Sequence, residues 1–116
     1  MRREELYLAD IVEAADAIRG FLQGVEQSSF LGSDLLRSAV LQKLMIIGEA
    51  ANKMPKEFRN RHPEVPWRDI VAFRNIAAHA YFSVDWAIVW IAAVKDVPEL
   101  RQEIAGILVS EYPEQV

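Results

Sequence analysis

The chain has 116 residues, of which 52% are hydrophobic and 26% charged, and its formal net charge is −4. These values are typical of one globular domain, here residues 1–116, and exclude a disordered tail. There are no cysteines, which excludes a disulfide framework and cysteine metal sites. A mean hydropathy of +0.04 is high for a small monomer, so we expect the protein to associate with itself or with a partner.

Charged residues interrupt every long apolar run. They are scattered through the first part of the chain, which argues against a secretory signal. The longest uncharged apolar stretch, Trp86 to Val94, is far shorter than the roughly 20 residues that a membrane span needs. We therefore expect a cytoplasmic protein without a membrane segment.

Apolar residues at helical spacing predict two long helices in the first half of the chain. The first runs from about Glu4 to about Gly24 and carries one apolar stripe, formed by Leu8, Ile11, Ala15, Ile18 and Leu22. A polar connection, Gln27-Ser28-Ser29, follows, and Gly32-Ser33-Asp34 offers caps for the second helix. Within that broadly apolar helix, Gly48 lets another backbone approach closely.

Shorter helices are predicted in the second half. A helical turn opens near Pro55, a fourth helix runs from about Trp67 to His79 or Tyr81, and Ser83 or Asp85 caps a fifth. Asp96 and Glu99 resemble a capping box, so the last helix is either separate or a kinked continuation. No strand pattern competes. The predicted fold is all-α, an up-and-down bundle of about five to six helices.

Basic side chains concentrate between positions 53 and 74, where six of them accompany three acidic ones. A basic stretch on an acidic protein is typical of a phosphate-binding surface, although a solvated helix–loop face has the same composition. The candidates for contact with phosphate are Lys53, Lys56, Arg59, Arg61 and Arg68.

Other candidate sites carry weaker signals. His62 and His79 lie far apart without carboxylates at metal-ligand spacing, so no metal site is expected. Trp67 is a candidate for stacking on a nucleobase, whereas Trp86 and Trp90 are four residues apart and fit a core. Glu49 lies on a mostly apolar helix and is interpreted as facing solvent or pairing with a nearby basic residue.

Polar groups stand among alanines in the segment from Arg74 to Tyr81. At about 100° per residue, Asn75 and His79 share a helix face, and so do Arg74 and Tyr81. Arg74 and His79 lie about 140° apart, so a site that uses both needs either a wrapping arginine side chain or residues from two chains. The alternative is a structural network, with Arg74 paired to a carboxylate and His79 satisfied within the bundle.

This segment resembles the motif of HEPN-superfamily ribonucleases, and more closely that of their HepT branch. The core of the motif is Arg74-Asn75-Ile76-Ala77-Ala78-His79, extended by His79-Ala80-Tyr81. The flanks are similar too: Ile47-Gly48-Glu49-Ala50, Pro66-Trp67-Arg68-Asp69-Ile70 and Tyr81-Phe82-Ser83-Val84-Asp85. The similarity extends from about Ile11 to about Leu108.

The resemblance implies a metal-independent RNA endonuclease without a cofactor, working as a homodimer whose motif helices face each other. Arg74 and His79 would be catalytic, Asn75 would support them, and the basic stretch would hold RNA such as tRNA or mRNA. It also implies a toxin of a type II toxin–antitoxin pair, whose minimal nucleotidyltransferase antitoxin adenylylates Tyr81. The alternative is a catalytically inactive helical bundle that binds a nucleotidyltransferase partner or a nucleotide.

Overall fold

The computed structural model describes residues 3–79 and 83–115, without the side chains of 76–79 and 115. Its helices are α1 (Glu4–Leu22), α2 (Gln27–Leu31), α3 (Asp34–Lys53), α4 (Lys56–Arg61), α5 (Trp67–His79), α6 (Trp86–Ile91) and α7 (Val97–Glu111). A π-helical turn (Ala92–Asp96) joins α6 to α7 as one continuous helix, and a 3₁₀ turn (Pro113–Gln115) follows. These described ranges contain no strand, which confirms the predicted all-α bundle. None of their helices is long and apolar enough to span a bilayer.

The long helices surround one core. α3 packs against both α1 and α5, and α7 packs against α1. The predicted stripe of α1 is buried in full, and α3 contributes Val40, Leu44, Ile47 and Ala51 to the same core. The spacing of the apolar residues therefore predicted the buried faces of α1 and α3 correctly, because a helix with one buried face carries apolar residues at helical spacing.

Local chemistry defines where several helices begin and end. The turn after α1 uses Gly24 at a φ of +71°, a conformation that side chains disfavour. The Ser33 hydroxyl accepts a hydrogen bond from the Leu36 amide at 3.1 Å, as expected for the cap of α3. The carboxylate of Asp85, and not Ser83, caps α6, because it accepts from the Ala87 amide at 3.0 Å.

The predicted connection Gln27-Ser28-Ser29 is wrong, since these residues open the short helix α2. Phe30 explains the difference. Its side chain is fully buried, and its ring centroid lies 5.4 Å from that of Trp90 and 6.5 Å from that of Trp86. Packing of this one aromatic residue outweighs the weak helical preference of the serines beside it.

The capping box predicted at Asp96 is also wrong. Asp96 has helical φ and ψ of −71° and −41°, and its side chain caps nothing. Of the two possibilities left open, the structure has the continuous helix. Pro98 cannot donate to the carbonyl four residues earlier, and the π-helical turn directly before it absorbs the irregularity without ending the helix.

Candidate active site

Arg74 projects from α5 toward α3 and pairs with Glu49. The Nε of Arg74 lies 2.5 Å from Oε1 of Glu49, and the two side chains are 40% and 47% exposed. Of the two interpretations of Glu49, the structure therefore has the ion pair. Because the pair is partly exposed, the guanidinium remains accessible to a solvent-borne anion.

Gly48 brings the two helices together at this point. A Cβ at position 48 would lie 2.9 Å from the Arg74 amide nitrogen and 3.1 Å from the Ile70 carbonyl oxygen. Real side chains do not tolerate contacts this short against a helix backbone. The predicted close approach of a second backbone at Gly48 is confirmed, and it occurs at Arg74 itself.

An open groove of about 910 Å³ lies between α4, the loop that follows it and α5. Three of the predicted phosphate contacts line it: Lys56, Arg59 and Arg68. Among the described residues of its lining, Asp69 is the one acidic side chain, so this part of the groove is positively charged overall. The remaining lining residues are Asn60, Pro63, Val65, Pro66, Trp67, Val71, Ala72 and Asn75. Cationic side chains over an apolar floor suit a chain of phosphates that carries flat bases.

The other two basic candidates lie elsewhere. Arg61 donates to the carboxylate of Glu111 at 3.0 Å, and this hydrogen bond raises the pKa of Arg61 above its ordinary value. Lys53 borders separate depressions that it shares with Tyr7. The structure thus divides the basic stretch into three groove residues and two outside the groove.

Asn75 lies at the groove, whereas Arg74, one residue earlier, faces α3. The α5 positions that line the groove are 67, 68, 69, 71, 72 and 75, and four of them, 68, 71, 72 and 75, form one helical stripe. Position 79, the last of α5, is the next position of that stripe in the helical register. The side chain of His79 is not among those described, and Tyr81 lies outside the described residues.

Comparison with known proteins decides the family. A model of the ribonuclease HepT-like family matches residues 11–107. The chain belongs to this family. The match covers almost the same stretch as the similarity inferred from the motif and its flanks, and it confirms that inference.

This HepT-like chain has relatives in several organisms. A protein of Thermococcus cleftensis, named "probable ribonuclease HepT", is 38% identical over 86% of this chain and 91% of its own length. A candidate RNase of Methanocaldococcus jannaschii is 35% identical over 89% of this chain and 94% of its own length. Another, from Caldanaerobacter subterraneus, is 34% identical over 96% of this chain and 99% of its own length. No solved structure gives a significant match.

Trp67 and His62 have structural roles in this HepT-like domain. Trp67 is 7% exposed and donates from Nε1 to the His62 carbonyl at 3.0 Å, so it is not free to stack on a base. The His62 ring nitrogens lie 3.3 Å from a Glu64 oxygen and 2.5 Å from a Glu111 oxygen. In the part of the chain that the structure describes, no cluster of His, Asp or Glu has the form of a metal site.

Asn60 was not singled out from the sequence, yet it lines the groove beside Arg59. Its position four residues after Lys56 on α4 was a usable signal, because residues four apart share a helix face. Glu49 was noticed, but its partner was not identified, because that partner lies on another helix.

Proposed function

We propose that the protein is a metal-independent RNA endonuclease and the toxin of a type II toxin–antitoxin pair. The observation that carries this proposal is the stripe of α5 that lines the basic groove and has position 79 as its next member. Membership of the ribonuclease HepT-like family supports RNA as the substrate. The names of the Thermococcus and Methanocaldococcus relatives point the same way.

The proposed chemistry uses the nucleophile that RNA itself carries. The 2′-hydroxyl oxygen attacks the adjacent phosphorus, and the bond from phosphorus to the 5′ oxygen breaks. One proton leaves the 2′-hydroxyl and one joins the departing oxygen. His79 takes or gives a proton near neutral pH. Arg74 holds the phosphate and stabilises its added charge, and Asn75 orients the phosphate or His79.

Substrate contact is assigned to the groove. Lys56, Arg59 and Arg68 border it, and cations along a groove bind the RNA backbone without reading its sequence.

A homodimer is proposed through the face that carries Arg74 to Tyr81. The helical angle between Arg74 and His79 favours a site built from two chains. On α6, Ile88 and Ile91 are 61% and 52% exposed, and exposed apolar surface of this kind favours association. Light scattering at micromolar concentration is expected to give the mass of two chains, and a monomer throughout would contradict the proposal.

Regulation is assigned to a minimal nucleotidyltransferase antitoxin that adenylylates Tyr81. The added nucleotide would bring bulk and negative charge to the motif, and its phosphate would repel RNA phosphate. Tyr81→Phe removes only a hydroxyl, so we expect part of the cleavage to survive while labelling by the antitoxin disappears. A Tyr81→Phe protein that is still labelled in the motif would contradict this assignment.

The decisive experiment is a cleavage assay on total RNA and on tRNA, with and without EDTA. His79→Ala is expected to lower the rate by roughly 10²- to 10⁴-fold with the fold retained. Arg74→Lys keeps the charge but loses the planar fork, so it is expected to fail as well. The matched control is Arg101→Lys, because Arg101 also pairs through Nε with a carboxylate and is 43% exposed.

The outcomes separate the proposal from its alternative. Cleavage that resists EDTA and needs His79 and Arg74 supports the enzyme. Full loss in EDTA, restored by a divalent ion, contradicts metal independence. A protein that binds RNA, nucleotide or its partner but never cuts RNA is the catalytically inactive binding module.

A further inference from the structure

We infer that Glu49 is a positioning residue for Arg74: its carboxylate orients the guanidinium before RNA binds. This inference rests on the proposed function, because it concerns how Arg74 meets a phosphate. It adds a residue from α3 to a site otherwise built from α5. Glu49 would touch no substrate atom and would act only through Arg74.

The contact involves one edge of the guanidinium. Glu49 Oε1 lies 2.5 Å from Nε of Arg74, which is the nitrogen nearest the arginine backbone. The two terminal nitrogens point away from that end of the planar group. Together they form the fork that matches two oxygens of a phosphate. A carboxylate held at Nε therefore fixes the plane of the guanidinium and leaves its phosphate-binding end available.

Both partners stand on a rigid base. Ile47 and Ala50 flank the Gly48-Glu49 pair and are 0% and 5% exposed, and Ile70, one turn before Arg74, is 3% exposed. With a Cβ of Gly48 excluded by the Arg74 backbone, the distance between α3 and α5 is set at this one position. The carboxylate thus reaches Nε from a fixed point, which is the condition for orienting a catalytic group in advance.

Stability is a poor explanation for this pair. Ion pairs with both side chains this exposed contribute little to folding, because solvent screens them. A carboxylate beside a phosphate site also repels the phosphate, which weakens binding of the ground state. The benefit of Glu49 is therefore expected in the transition state, where orientation of Arg74 counts, and not in RNA affinity.

This reasoning predicts a division between kcat and KM. Glu49→Gln keeps the shape of the side chain and removes its charge. We expect kcat to fall roughly 10- to 100-fold, while KM stays the same or decreases. In an Arg74→Ala background, Glu49→Gln is expected to cause no further loss, since residues that act through one contact are not additive.

Asp16 supplies the matched control. It pairs with Arg101 Nε at 3.0 Å, between α1 and α7, with 51% and 43% of the two side chains exposed. Asp16→Asn removes the same kind of charge from the same kind of pair and is expected to leave kcat and KM unchanged. A Glu49→Gln protein with the kcat of the wild type, or with only a raised KM, would overturn the inference.

A second measurement does not depend on cleavage. The NMR signal of the Arg74 Nε–H group, assigned by its loss in Arg74→Lys, is expected to exchange slowly with water in the wild type. Exchange should become faster in Glu49→Gln and stay slow in Asp16→Asn. If the wild-type protein cleaves no RNA, the proposed function fails and this signal still tests the pairing. Equal exchange in wild type and Glu49→Gln would overturn the inference in that case too.

Discussion

The indole Nε1 of Trp67 donates a hydrogen bond to the carbonyl oxygen of His62, 3.0 Å away. The bond spans the loop between α4 and α5 and ties the first residue of α5 to the residue after α4. Phe58 supports it from α4, with its ring centroid 6.1 Å from that of Trp67 in an edge-on arrangement. The two walls of the basic groove are held at a fixed distance by this closure.

Trp67→Phe is expected to destabilise the protein by about 1–3 kcal/mol, because the His62 carbonyl loses its donor and the smaller ring leaves space. Urea unfolding measures the loss. Trp90→Phe is the control, since Phe retains an aromatic ring beside Phe30. Unchanged stability together with weakened RNA binding would mean that Trp67 stacks on a base after all.

Gly48→Ala is expected to cost about 1–3 kcal/mol, because its Cβ would overlap the Arg74 backbone and push α5 away from α3. The loss should appear although alanine favours helices by about 1 kcal/mol over glycine. Gly106→Ala, on α7, is the control, because nothing lies within 4 Å of its Cβ. It should be neutral or stabilising, and equal effects at both positions would refute the close-packing argument.

Neutralising the groove is expected to weaken RNA binding and its salt dependence together. Lys56→Gln, Arg59→Gln and Arg68→Gln should each lower the slope of log affinity against log salt by about 0.7 if each side chain contacts one phosphate of a single strand. The control makes the same charge change outside the groove lining, at Arg19, Lys43 and Lys95. Each set of three changes is also combined in one protein. If the groove variant and the control variant lose the same affinity for RNA, the groove contributes only through the overall positive charge of the surface.

Glu103 makes stability depend on pH. Burial, and then the charges of Glu64 and Glu99, raise the pKa of Glu103 above its ordinary value of 4.5. The folded state therefore favours the protonated form: this contribution is complete below the ordinary pKa and is lost as pH rises through the raised one. Glu103→Gln should be more stable than wild type at about pH 7 and similar at about pH 4, as measured by urea midpoints. Glu13→Gln, an exposed change on α1, should show no such pH-dependent gain.

Much of the fold was predictable because a helix with one buried face carries apolar residues at helical spacing. The stripe from Leu8 to Leu22 reports the buried face of α1 directly. α2 left no such record, because a single aromatic residue, Phe30, holds it. Asp96 and Glu99 have the spacing of a capping box, but no new helix begins there. The π-helical turn carries α6 directly into α7.

The site was predictable only in part. Sequence reasoning located Arg74 and Asn75, but it could not pair Arg74 with Glu49, because that contact depends on how α3 packs on α5. It also treated the basic residues as one surface, whereas the contact with Glu111 draws Arg61 away from the groove. The catalytic roles of Arg74 and His79, the supporting role of Asn75 and the modification of Tyr81 stay predictions.

The helix from Trp86 to Glu111 is continuous in space but not uniform in its hydrogen bonding. Its α7 part is fixed to α1 through buried Leu100 and Ile104, whereas its α6 part packs mainly on the short α2. The π-helical turn lies between them, and Pro98, in the first turn of α7, offers no amide hydrogen to the ladder. Local opening follows local packing, so amide hydrogens of α6 should exchange with solvent sooner than those of α7. The α6 part of this helix can therefore open locally while the α7 part stays packed on α1.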